Sequence, residues 1–226
     1  MEIQHTLYIN LEERQDRRDH IEKQLASIGI SQDNVERFNA VKMKDGRIGC
    51  SMSHLKCLQL AQKNRWKHVL IVEDDITFTD PAMFKRQLAG FFKDEITYDV
   101  LLFGGNVVPP YKPVNSYCVQ VFACQTTTGY LVKEHYYETL IQNMHEGIRK
   151  LLKEPEKHFY YAIDKYWFSL QRQHLWFIIV PLSVIQLQNY SNIEERETDY
   201  SRLMLDLDKT FLQNTRFIKP FALSKI

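Results

Sequence analysis

The stretch that most constrains this chain is Val69-Leu70-Ile71-Val72, an unbroken apolar run followed at once by Glu73-Asp74-Asp75. Four consecutive aliphatic side chains leave no polar face, so the run fits a strand covered on both sides, as in the sheets of α/β proteins. Similar runs recur. Thr6-Leu7-Tyr8-Ile9 ends at Asn10, Tyr98 to Phe103 ends at Gly104-Gly105, and Trp176 to Val180 is a last buried strand. Helix-periodic segments lie between them: Arg14 to Ile28, with Ile21, Leu25 and Ile28 on one face and Gly29 as its stop; Ser51 to Lys63, with Ser51 or Ser53 as N-cap; Glu134 to Lys153; and Ala162 to Gln173. Val107 to Tyr117, with three prolines, reads as a loop, and Cys118 to Ala123 and Tyr130 to Val132 as short strands. Beyond about residue 194 the chain is a polar tail with weak structure signals. Strands alternating with helices predict an α/β sandwich with a mixed, mostly parallel sheet flanked by helices.

The 226 residues are 44% hydrophobic, enough for one core, and nothing in them resembles a linker, so a single domain over 1–226 is expected. Lys+Arg and Asp+Glu balance at 29 against 28, which argues against a nucleic-acid partner. Cys50, Cys57, Cys118 and Cys124 form no CxxC pair and are read as reduced thiols. Charges follow the first short apolar run directly, unlike a signal peptide, and no run approaches the ~20 residues of a membrane span. A cytoplasmic location is expected, with peripheral membrane contact left open.

In open α/β sheets, ligands gather outside the carboxyl ends of the strands. Asn10, Glu73-Asp74-Asp75 and Gly104-Gly105 all stand at such ends, which predicts one cleft. Strand alternation puts Glu73 and Asp75 on one side and Asp74 on the other. Carboxylates held close together need a proton or a cation between them, and hard oxygen donors suit Mg²⁺ or Mn²⁺ shared with substrate phosphates. The plain alternative is a solvated or lysine-paired strand end. The string Val-Leu-Ile-Val-Glu-Asp-Asp also resembles the first strand of a phosphoacceptor receiver domain. In that fold the motif lies near the N-terminus, whereas here a strand and two helices precede it, and the next strand ends in Gly104-Gly105 with no acceptor Asp.

Taken together, the motifs resemble glycosyltransferase family 25, from the first strand to about Ile193. Tyr8-Ile9-Asn10-Leu11 with Arg14, Asp16, Arg17 and Arg18 is similar to the family's opening segment. Phe38-Asn39-Ala40-Val41, Gly49-Cys50-Ser51-Met52-Ser53-His54, Glu73-Asp74-Asp75, Tyr98 to Gly104, Thr128-Gly129-Tyr130 and Ala162-Ile163-Asp164 follow in the family's order. Lys42, Arg47, Lys165 and Asn192 depart from its usual residues.

The resemblance implies a GT-A fold and an inverting hexosyltransferase. The donor would be UDP-galactose, or next UDP-glucose, used with Mn²⁺ or Mg²⁺, and the acceptor a glycan or hydroxylysine-type hydroxyl. It implies Asp75 as principal metal ligand with Glu73 as partner, and Asp74 orienting the donor sugar or stiffening the turn. Asn10, Leu11, Arg14 and Arg18 would bound the nucleotide, with Arg17 on a solvated helix face. His54 is either a phosphate or ribose partner or a packing histidine. Gly104, Gly105, Gly129 and Tyr130 would shape the sugar and acceptor pocket by close backbone approach and stacking. Asp164 is the candidate base, its alternative role being an acid facing a helix dipole. From a different functional class, a protein that binds nucleotide sugar or glycan without turnover fits the same motifs.

Overall fold

The computed structural model describes residues 3–191 and 196–210. In chain order its elements are β1 (Thr6–Asn10), α1 (Gln15–Ser27), β2 (Val35–Asn39), α2 (Gly46–Lys63), β3 (His68–Glu73), β4 (Ile76–Phe78), α3 (Pro81–Lys93), β5 (Val100–Val107), β6 (Tyr111–Pro113), β7 (Cys118–Val121) and β8 (Cys124–Lys133). They continue with α4 (Tyr137–Lys153), α5 (His158–Tyr161), α6 (Ile163–Tyr166), α7 (Phe168–Gln173), β9 (Trp176–Ile179), β10 (Val184–Gln186), β11 (Asn189–Ser191), β12 (Arg196–Thr198) and α8 (Ser201–Leu205). Eight strands form the main sheet in the order β2-β1-β3-β8-β5-β9-β7-β6. Within it β1 is parallel to β2 and β3, and β5 to β9, while β8 and β7 run against their neighbours. The result is the mixed, mostly parallel sheet expected of a GT-A-type domain.

The unbroken apolar run of β3 has a direct physical reason. Val69 and Ile71 pack with Leu55 and Leu58 of α2, Ile141 and Met144 of α4, and Trp167. Leu70 and Val72 face the opposite layer, with Ile21 and Leu25 of α1 and Phe84 and Phe91 of α3. A strand between two helical layers buries both of its faces, so period-two alternation disappears.

Several boundaries differ from those expected. Helix α2 begins five residues before Ser51, because Asp45 caps it by accepting from the Arg47 amide; Ser51 and Ser53 sit inside the helix and bond back to the Arg47 and Gly49 carbonyls. Strand β5 does not end at Gly104-Gly105 but continues to Val107, with register shifts around the glycines. The expected short strand at Tyr130 is the end of the ten-residue β8, and the proline-bearing loop contains β6. The helix expected over Ala162 to Gln173 is broken at Trp167 into α6 and α7. Helix α3 was not anticipated, although Asp80 as N-cap before Pro81 is a helix-start signal. The polar tail also folds in part: Met204 of α8 is fully buried, and Tyr111 donates to Asp208 at 2.5 Å. Asn192 lies outside the described residues.

Candidate active site at the carboxyl end of β3

Glu73 is the last residue of β3, so alternation sends it to the α2 side, as for Val69 and Ile71. There it meets four donors. Thr127 Oγ1 donates to Oε1 at 2.6 Å, and His54 Nε2 and Cys50 Sγ lie 3.3 and 3.7 Å from the same oxygen. Gln186 Nε2 donates to Oε2 at 3.1 Å. Burial works against the charge of Glu73, but the bonds from His54, Thr127 and Cys50 prevail and hold its carboxyl below the ordinary value. His54 is itself held from behind, its Nδ1 at 2.9 Å from the Tyr130 hydroxyl.

Asp74 and Asp75 lie in the turn between β3 and β4, where strand alternation no longer applies. One guanidinium serves both: Arg17 Nη1 is 3.0 Å from Asp74 Oδ1 and 3.4 Å from Asp75 Oδ2. Asn10 Nδ2 donates to Asp74 Oδ2 at 2.8 Å and to the Arg14 carbonyl at 3.0 Å, while its Oδ1 accepts from Arg37. The backbone carbonyl of Asp75 accepts from the Leu187 amide at 2.7 Å, tying the turn to the residue after β10. Asp75 Oδ1 is buried with no hydrogen-bond partner. Burial, reinforced by the charge of Glu73, pushes the Asp75 carboxyl well above the usual carboxylate range, and Arg17 offsets this only in part. Burial raises Asp74 too, against the pull of Arg17 and Asn10.

The triplet therefore does not divide as strand alternation predicts. Glu73 turns toward α2 and β8, whereas Asp74 and Asp75 share Arg17. Arg17, expected on a solvated helix face, is only 14% exposed and is the arginine that reaches the acidic turn. Arg14 instead grips Asp16 through two bonds of 2.9 and 2.8 Å, and Arg18 bonds Glu22 beside Tyr8. Leu11 is half-buried just past β1. The spacing of Arg14, Arg17 and Arg18 was the available signal for Arg17, since i, i+3 and i+4 share a helix face. No local signal marks Thr127 or Gln186.

The three glycines and Tyr130 are closed in by protein. A Cβ on Gly104 would lie 2.6 Å from Val184 Cγ1, one on Gly105 2.4 Å from Cys124 Sγ, and one on Gly129 2.8 Å from Ile76 Cδ1. Tyr130 is fully buried. The glycines let β5 approach β10 and β8, and β8 approach β4, while the Tyr130 hydroxyl meets His54 Nδ1. Asp164 lies in the first turn of α6 and accepts from the Thr126 amide at 3.2 Å. Burial raises its carboxyl, and Lys165 beside it pulls the other way. All four cysteines are free thiols, and no described helix is long and apolar enough to cross a membrane.

Residues 40–167, more than half of the chain, match glycosyltransferase family 25 (LPS biosynthesis protein). The matched span runs from Ala40 before α2, through the acidic turn, to Trp167 after Asp164. A putative glycosyltransferase of Haemophilus influenzae is 30% identical over 98 residues, covering 35% of this chain and 35% of that protein; the chain thus matches about a third of that relative's length. Among solved structures, A197 from STIV has a TM-score of 0.46 at 10% identity, covering 85% of this chain and 92% of that one. A glycosyltransferase involved in glycosylation of the major capsid of PBCV-1 has a TM-score of 0.41 at 11% identity, covering 77% and 91%. With the acidic turn, the His54 helix and Asp164 all inside the matched span, the chain belongs to glycosyltransferase family 25.

Proposed function

We propose that this chain is a metal-dependent, inverting hexosyltransferase that moves galactose, or next glucose, from a UDP-sugar to a hydroxyl on a glycan or collagen-like acceptor. The observation that carries the reading is the buried, unpartnered Oδ1 of Asp75, beside Glu73 at the carboxyl end of β3. A carboxylate desolvated next to a second one is unfavourable until a cation joins them, so the donor set fits Mn²⁺ or Mg²⁺. Asp75 would be the principal ligand. Glu73, with both oxygens already accepting bonds, adds its charge directly or through water. Such a cation, when bound, stabilises the charge that builds on the departing diphosphate.

The remaining roles belong to the chain's own residues. Asn10 and Arg17 fix Asp74, which stiffens the turn. Arg14 and Arg17 supply positive charge for the diphosphate, with Asn10, Leu11 and Arg18 on the nucleotide side. His54 and Tyr130 hold Glu73 in place from behind. Asp164 takes the proton of the acceptor hydroxyl, and its burial makes it a better proton acceptor than an exposed aspartate.

A second reading rests on the same Glu73: its saturated hydrogen bonding suits a protein that binds a nucleotide sugar without turning it over. Incubation with Mn²⁺ and either UDP-galactose or UDP-glucose separates the two. The enzyme reading expects slow hydrolysis of one donor and Mn²⁺-dependent UDP binding that Asp75→Asn abolishes. Binding without hydrolysis or transfer favours the second reading, and UDP affinity unchanged in Asp75→Asn removes Asp75 as the metal ligand.

A further inference from the structure

Cys50 and His54 stand one helical turn apart on α2 and point at the same oxygen of Glu73. The turn that carries Cys50 is seated closely, since a Cβ on Gly49 would lie 2.5 Å from the Val41 carbonyl. One ligand atom from each of Cys50, His54 and Glu73 lies within 4.8 Å of the others. We propose that these three residues form a binding site for one thiophilic divalent ion, Zn²⁺ in the first instance, distinct from the hard-oxygen site at Asp75 although Glu73 borders both.

The two distances to Glu73 Oε1 fit a tetrahedral ion. With Zn–S, Zn–N and Zn–O bonds of about 2.3, 2.05 and 2.1 Å, a tetrahedron puts sulfur about 3.6 Å and nitrogen about 3.4 Å from the oxygen. The structure has Cys50 Sγ at 3.7 Å and His54 Nε2 at 3.3 Å from Glu73 Oε1. The outer contacts also suit a metal ligand set. Tyr130 at His54 Nδ1 leaves the Nε2 lone pair free for an ion when the ring carries its proton on Nδ1, and Gln186 anchors the other Glu73 oxygen. Three protein ligands leave a fourth position for water, and the mixture of sulfur, nitrogen and oxygen favours zinc over manganese or magnesium. On binding, the Cys50 S–H bond breaks, sulfur keeps the electron pair and bonds the ion, and the proton passes to solvent.

Cobalt reports such a site without any sugar donor. One equivalent of Co²⁺ added to the wild-type chain is expected to give a thiolate-to-cobalt charge-transfer band with intense tetrahedral d–d bands, and Zn²⁺ should abolish both. Cys50→Ser should lose the charge-transfer band. Cys118→Ser, whose hydroxyl can keep the bond to Asn115, should retain it. Asp75→Asn should retain it as well, which separates this site from the donor cation; a chain with no transferase turnover should still show it. A wild-type spectrum without the charge-transfer band overturns the proposal, whatever the folding of the variants, as does a band that survives in Cys50→Ser.

Discussion

Arg17 reaches from the first turn of α1 to Asp74 in the turn after β3, with 3.0 Å between Nη1 and Oδ1. The contact joins two elements 57 residues apart and is largely shielded from water. It also extends to Asp75 at 3.4 Å, so the same guanidinium faces both carboxylates of the turn. In the proposed function, a divalent ion at Asp75 competes with Arg17 for the same negative charge.

Arg17→Ala should therefore destabilise the metal-free chain by about 1.5–3 kcal/mol, the usual cost of losing a hydrogen bond to a charged group in a mostly buried place. Mn²⁺ should recover part of the loss by supplying the missing positive charge. Urea unfolding in chelator and in Mn²⁺ tests both halves. Equal stability of variant and parent in chelator would show that the Arg17 contact is energetically idle.

The sheet and most helices were legible because burial leaves a direct mark on composition. Val69 to Val72 had to be central, since each of its faces meets a helical layer. The acidic turn Glu73-Asp74-Asp75 was legible as a candidate site, but its internal geometry was not. Alternation governs a strand only while the strand lasts, and β3 stops at Glu73, so the relation between Asp74 and Asp75 is set by the turn and by Arg17. Thr127 and Gln186 reach Glu73 from 54 and 113 residues away, through pairings that no local pattern encodes. The glycines were legible as close-approach positions, but only the packing identifies Val184, Cys124 and Ile76 as protein groups that approach them.

That packing gives a ranking. At Gly105 a new methyl meets Cys124 Sγ at 2.4 Å and the Gln125 carbonyl at 2.8 Å, the second of which is backbone and cannot rotate away. At Gly129 it meets the terminal methyl of Ile76 at 2.8 Å, which can swing aside. Gly105→Ala should cost about 1–3 kcal/mol and Gly129→Ala less, by the general cost of overpacking. Thermal unfolding of the two variants gives the order directly, and the reverse order would count against glycine packing as the reason for these residues.

Asp164 offers a test in pH. Burial raises its carboxyl, so it stays protonated, and useless as a base, to a higher pH than an exposed aspartate. Transfer should therefore rise with pH along an acid limb displaced above the ordinary aspartate range, and level off once Asp164 is ionised. Lys165 lowers the same carboxyl by its charge. Lys165→Gln should move the limb to still higher pH while leaving the plateau near its parent value. Asp164→Asn should bind donor normally and lose the plateau by roughly 10²–10⁴-fold, the usual worth of a positioned base. A variant with near-parent transfer removes Asp164 as the base. A limb that stays put in Lys165→Gln shows that some other group sets it, because glutamine removes the charge by which Lys165 lowers the Asp164 carboxyl.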